Sequence, residues 1–155
     1  MRLMTRRMAV WGVLGLLTGA VSVLAGGPEN KAITWQTNLK AAHKLAREQN
    51  KPMLLVFGAE WCGYCKKLEK TTLENPQLAK YINTTFVSVH IDVDEEEKIA
   101  QILDVKSLPC TIVLSPGADL LGKFEGYMQP APMYQKLDSA NQLHRESQST
   151  AGLAR

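Results

Sequence analysis

Cys62 and Cys65 stand three positions apart in Trp61-Cys62-Gly63-Tyr64-Cys65, and thiols at that spacing serve two chemistries. They hold a metal such as zinc as thiolates, or they cycle between dithiol and disulfide. The flanks favour the redox cycle: Leu54 to Phe57 reads as a buried strand, and the residues after Cys65 read as a helix. A helix that begins near Cys62 sets this thiol among unpaired backbone N–H groups at the positive end of the dipole. The thiolate is the reactive form, and that placement lowers its pKa. Cys65 lies one turn deeper, within reach of a disulfide with Cys62.

The elements around this pair follow from patterning. Trp35, Leu39, Ala42 and Ala46 recur at helical intervals and predict one apolar helix face up to about Gln49, with His43 off the stripe as a solvated residue. Asn50-Lys51-Pro52 ends that helix, and a strand apolar on both sides runs from Met53 to Phe57, as suits the middle of a covered sheet. Beyond the cysteines, Cys65, Leu68 and Thr72 share a helix face, while Lys66, Lys67, Glu69 and Lys70 point outward. Asn75 caps and Pro76 opens a short helix to about Ile82. Phe86 to Asp92 alternates as a strand, with Val87, Val89 and Ile91 on one side and Ser88 and His90 on the other. Asp94 is expected to cap a helix with an acidic first turn, carrying Ile99, Ile102 and Leu103. Calcium binding by this acidic run lacks the loop glycine and the terminal bidentate acid.

Leu108 to Leu114 is the next strand, Ser115-Pro116-Gly117-Ala118-Asp119 a turn, and Leu120 to Phe124 an antiparallel return. Pro130 and Pro132 introduce a last helix through Tyr134 and Leu137, after which a polar tail, residues 139–155, is expected to fray. The order of helices and strands predicts a single α/β domain over residues 33–138, a three-layer sandwich with a central mixed β-sheet flanked by helices.

The first 25 residues differ in kind. Arg2, Arg6 and Arg7 precede an uncharged stretch from Met8 to Ala25 that ends in small residues, the pattern of an export signal. Residues 8–25 just reach the ~17 residues that span a bilayer, so an uncleaved anchor is the alternative. Residues 26–32 read as a linker. Of 18 basic and 15 acidic residues, the leader holds three Arg and no acid, so the remainder is formally neutral. Nothing in that balance predicts a nucleic-acid surface or an electrostatic membrane patch. Three cysteines in an exported chain read as a redox pair and a spare thiol, not as a disulfide framework.

The run from Lys51-Pro52 through Trp61-Cys62-Gly63-Tyr64-Cys65 to Asn75-Pro76 resembles the active-site segment of the thioredoxin superfamily, and more closely its small exported bacterial domains. Ser107-Leu108-Pro109 is similar to that superfamily's cis-proline loop. The resemblance covers about Ile33 to Leu137 and implies a protein disulfide oxidoreductase, periplasmic or secreted and monomeric. Its redox group would be a Cys62–Cys65 disulfide, with no organic cofactor. Cys62 would be the nucleophile and Cys65 the resolving thiol. Trp61 would shield the disulfide. Pro109, if cis, would free the backbone of the preceding residue to pair with an extended partner. Leu108, Gly126, Tyr127 and Trp61 would form the apolar rim of the groove.

Gly63-Tyr64 is similar to isomerase-type centres, which implies a potential above thioredoxin's roughly −270 mV, toward about −180 mV. Partners implied are exported cysteine-containing proteins and a membrane thiol–disulfide reductase or oxidase. Two positions depart from the family. Val56 stands where a buried aspartate is usual, and His90 where a lysine is usual, so His90 is a candidate for moving the Cys65 proton. Glu60 is a further candidate for modulating the pair. Cys110 follows Pro109 where threonine is common. It is either a small buried residue or a third thiol, and Cys62, Cys65 and Cys110 with His90 would suit zinc or Cu(I). A metal-delivery module and a thioredoxin-like interaction domain with incidental redox chemistry are thus the competing readings.

Overall fold

The computed structural model describes residues 32–36 and 38–153; the leader and all but the end of the 26–32 linker lie outside the described residues. The elements run β1 (Trp35–Gln36), α1 (Leu39–Gln49), β2 (Met53–Gly58), α2 (Gly63–Leu68) and a π-helical turn (Glu69–Leu73). Then come α3 (Pro76–Thr85), β3 (Val87–Asp92), α4 (Glu97–Ile102), β4 (Cys110–Leu114), β5 (Leu120–Glu125) and α5 (Pro130–Leu153). The strands form one sheet in the order β1-β3-β2-β4-β5. β1 and β2 both run parallel to β3, whereas β4 is antiparallel to β2 and to β5. The expected three-layer α/β sandwich with a mixed sheet is what forms.

β2 is central, and all six of its residues are buried. Alternation divides them between the two faces. Leu54 and Val56 pack with Leu68, Leu78, Ile82 and Leu137 of the helices on one side, while Met53, Leu55 and Phe57 pack with Ala42, Ala46 and Ala100 on the other. Each large side chain so buried contributes about 1.5–3 kcal/mol, so the strand that carries the cysteine loop is held from both faces. At α3, Asn75 Oδ1 accepts from the backbone N–H groups of Gln77 and Leu78 at 3.1 Å, with Pro76 in the first turn. This is the capping expected from the sequence.

Four expectations are corrected. Trp35 does not open the first helix: it pairs with Ser88 in the short edge strand β1. α1 starts at Leu39 because Asn38 caps it, its Oδ1 accepting from Ala41 N–H at 2.8 Å. His43 is not a free surface residue, since its Nε2 lies 3.1 Å from the Pro116 carbonyl in the β4–β5 turn. α4 begins at Glu97 with no side-chain cap, and Ile102, its last residue, is 81% exposed and not on the buried face. The described residues beyond Ser139 are helical where a polar tail was expected. α5 continues to Leu153, with Ala140 and His144 buried. Its polar residues find a partner 94 positions back: His144 Nε2 meets the Asn50 carbonyl at 3.2 Å, and the Gln148 and Asn50 amides pair at 2.9 Å in both directions.

Candidate active site

β2 ends at Gly58, and a turn closed by Cys62 N–H donating to the Ala59 carbonyl (3.0 Å) delivers Cys62 to the mouth of α2. Cys62 is the N-cap, and its Sγ accepts from Cys65 N–H at 3.1 Å. The sulfur thus takes the place of the side-chain oxygen that usually satisfies an orphan donor there. An anionic sulfur is stabilised by the same contact and by the helix dipole. The two cysteines form a disulfide, their Cα atoms 5.3 Å apart.

Cys62 is 6% exposed and Cys65 4% exposed, yet their situations differ. Cys62 lines an open groove of about 450 Å³ with Trp61, Tyr64, Val93, Val105 and Leu108, and Cys65 does not line it. An incoming sulfur therefore meets Cys62 first. Leu108 and Val93 pack directly on the Ala59, Cys62 and Cys65 cluster. The Leu108–Pro109 peptide is cis. Two bonds tie its loop to the end of β5: Gly126 N–H donates to the Pro109 carbonyl at 2.7 Å, and Ser107 Oγ donates to Glu125 Oε2 at 2.8 Å. That hydroxyl, chiefly, holds the Glu125 carboxyl below its usual range.

Trp61 stands 71% exposed and walls the groove beside Cys62. Its Nε1–H donates to Asp94 Oδ2 at 2.8 Å. Asp94, expected to cap α4, is instead the anchor of this ring. Tyr64 is also largely exposed, and a side chain at Gly63 would meet open space, so the Gly63-Tyr64 pair leaves the approach to Cys62 unobstructed. Glu60 lies on the far side of Trp61 in an acidic recess with Asp92, Asp94 and Glu95.

Gly126 and Tyr127, expected on the rim, do not line this recess, although Gly126 adjoins it through its bond to the Pro109 carbonyl. Gly126 adopts a φ of +83°, which favours glycine. Tyr127 turns onto the outer side of the helix, with its hydroxyl 3.0 Å from Thr71 Oγ1 and Lys67 Nζ 4.5 Å above its ring. Cys110 is wholly buried against the other face of the sheet, packed with Phe57 and Ile112, and burial pushes its thiol up to about 11. The alternative metal site of Cys62, Cys65 and Cys110 with His90 is not assembled. Among the described residues no three His, Cys, Asp or Glu side chains are gathered to hold a metal ion.

His90 extends from β3 beside Val56 of β2, in register with it. Its Nε2 lies 3.1 Å from Glu69 Oε1, and its ring meets Trp35 edge-on, centroids 5.8 Å apart. Glu69 was expected simply to face solvent. Its spacing of four from Cys65, one helical turn, was the available signal that it shares a side with that cysteine. Asp94 offered no such signal, because its partner is 33 positions away.

The family model for the thioredoxin-like domain matches residues 39–141. The thioredoxin-related protein DsbJ of Chlamydia pneumoniae is 29% identical over 99 residues, an alignment spanning 56% of this chain and 28% of that protein. Mitochondrial thioredoxin-3 of Saccharomyces cerevisiae is 36% identical over 99 residues, spanning 61% of this chain and 70% of that protein. Among solved structures, a DsbH oxidoreductase superposes with a TM-score of 0.63 at 17% identity, covering 72% of this chain and 86% of that one. At that identity the likeness concerns the fold.

Proposed function

Because the chain belongs to the thioredoxin-like domain family and carries a CxxC disulfide of the oxidoreductase kind, we propose that it exchanges disulfides with protein partners outside the cytoplasm. Cys62 is the attacking sulfur and Cys65 the resolving one. The observation that carries this reading is the asymmetry of the pair: Cys62 sits at the helix mouth, accepts a backbone N–H and opens on the groove, while Cys65 lies behind it. In the reducing direction the Cys62 thiolate attacks a partner disulfide. A mixed disulfide forms and one partner thiolate leaves; Cys65 then attacks Cys62, closing the intramolecular bond and releasing the second partner thiolate. Two electrons pass from the pair to the partner. Trp61, Tyr64 and Leu108 receive the partner's apolar residues next to its sulfur, and the backbone flanking Pro109 is available to an extended segment.

The leader pattern supports export, which would place the substrates among exported cysteine-containing proteins and the electron partner in the membrane, as a thiol–disulfide reductase or oxidase. Reduction of insulin by dithiothreitol, with and without the protein, tests the chemistry. Catalysis is expected to fall by more than about a thousandfold in Cys62→Ser, as when a nucleophile is removed. Equal turnover by that variant would leave only an interaction domain. A fusion of residues 1–30 to a reporter active only outside the cytoplasm tests export, and an inactive reporter would refute it.

A further inference from the structure

We propose that Glu125, seconded by Lys123, is a positioning residue of the exchange groove: it fixes the wall formed by residues 105–108 and so sets a preference for protein disulfides over small ones. The proposal rests on the oxidoreductase reading and adds to it what builds the part of the groove that the cysteine loop does not supply.

The groove beside Cys62 has walls of two kinds. Trp61, Gly63 and Tyr64 come from the turn and helix that carry the cysteine and are placed with it. Val105, Lys106, Ser107 and Leu108 come from the stretch between α4 and β4. Residues 105–109 belong to no helix or strand, so no backbone ladder stiffens them. What holds such a stretch in place must reach it from another element.

That element is β5. Lys123 and Glu125 are two positions apart and so share one face of the strand, opposite the buried Phe124. In the sheet they stand in register with Ile112 and Cys110 of β4. Glu125 grips the middle of the wall: its Oε2 accepts from the Ser107 hydroxyl at 2.8 Å, and the carboxylate also accepts from the Lys106 N–H. Lys123 grips its beginning. The ammonium donates to the Leu103 carbonyl at 3.3 Å and to the Asp104 carbonyl, just past the end of α4 where no intrahelical donor reaches. Lys123 Nζ also stands 3.7 Å from Glu125 Oε1, which couples the two grips. Gly126 N–H closes the far end on the Pro109 carbonyl at 2.7 Å. Val105 and Leu108 are left between these attachments, lining the groove.

Hydrogen bonds to an ionised acceptor are stronger than neutral ones. The Ser107 hydroxyl first, then the Lys106 N–H and the Lys123 ammonium, hold the Glu125 carboxyl below its usual range, so it is ionised at neutral pH. A small disulfide needs only the Cys62 sulfur. A protein segment lies along the groove and touches both walls, so it loses binding when one of them drifts.

The test compares two oxidants. Full-length protein is reduced with dithiothreitol, freed of it, and mixed with insulin or with hydroxyethyl disulfide; oxidation of the Cys62–Cys65 pair is followed by acid quench over a range of disulfide concentrations. In Glu125→Ala, half-saturation by insulin is expected to rise about three- to tenfold with the limiting rate nearly constant, while the rate with hydroxyethyl disulfide moves by less than about twofold. Lys123→Met should shift insulin in the same direction by less. Ser107→Ala should reproduce the insulin effect and add little to Glu125→Ala, because both remove one bond. Ser107→Thr keeps the hydroxyl and should restore wild-type behaviour. Unchanged half-saturation by insulin in both Glu125→Ala and Ser107→Ala overturns the proposal, as does an equal loss with the two oxidants. If neither disulfide oxidises the wild-type pair, the oxidoreductase reading fails, and the proposal falls with it.

Discussion

Two regions of this molecule hold sulfur, and they treat it in opposite ways. At the mouth of α2, Cys62 accepts a backbone N–H from Cys65 and lines an open groove. At the start of β4, Cys110 lies wholly buried in the core cluster that holds Phe57 and Ile112, its thiol pushed up to about 11 by burial and, secondarily, by the Glu125 carboxylate. Each cysteine adjoins a chain feature of the same site, one the helix N-terminus and the other the Pro109 loop. Sequence proximity to a redox loop does not make a thiol part of it; donors and solvent access do. Cys110 faces the opposite side of the sheet from Cys65, and this separation removes the three-sulfur metal reading.

The comparison is sharpened most by alkylation of the reduced protein at neutral pH. Cys110, about two units above an ordinary thiol, holds about a hundredfold less thiolate than a free cysteine, and burial slows its reaction further. Cys62 is expected to react faster than free cysteine. Mass spectrometry of the labelled sites checks this, and comparable labelling of Cys110 and Cys62 in the folded protein would break the contrast.

A smaller effect is expected at the groove wall. Asp94→Ala frees the Trp61 indole, whose exposed hydrogen bond is worth about 1 kcal/mol, so KM for a protein disulfide should rise a few-fold with kcat nearly constant. A fall in kcat with KM unchanged would place Asp94 in the chemistry instead.

The smallest effect is on stability in alkali. The Cys110 thiol is raised in the folded state from about 9 to about 11, so the unfolded chain releases its proton first as pH rises. The stability associated with keeping this group neutral is complete below pH 9 and is lost progressively up to about pH 11. Tyr81, raised to about 12 mainly by burial and then by Asp138, adds a loss at still higher pH. Replacing Cys110 with Ala should flatten the fall in Tm between these limits. An unchanged slope would mean that the thiol is not held neutral by the fold.

The fold is legible in the sequence wherever the signal is local. The strand into Cys62, the Asn75-Pro76 helix start and the alternation of β3 depend on residues a few positions apart, and periodicity reports those directly. Local period misleads where it coincides with a distant partnership. Trp35 is spaced four residues from Leu39 as a helix would require, but pairing with Ser88 draws it into the sheet. The polar residues after Ser139 looked solvent-bound because Asn50, which satisfies them, lies about a hundred positions earlier. The resemblance implies a place for Tyr127 on the groove rim, whereas its side chain is engaged by Lys67 and Thr71.

By itself, then, the amino-acid order determined that two sulfurs would stand at the start of a helix behind a buried strand, because backbone geometry and the apolar pattern of some twenty neighbouring residues require it. Tertiary structure alone decided which residues wall the groove beside Cys62, that Glu69 would reach His90, and that Asp94 would hold Trp61. Those relations depend on strand register and helix docking, and each joins residues that have no reason to meet until the sheet is assembled.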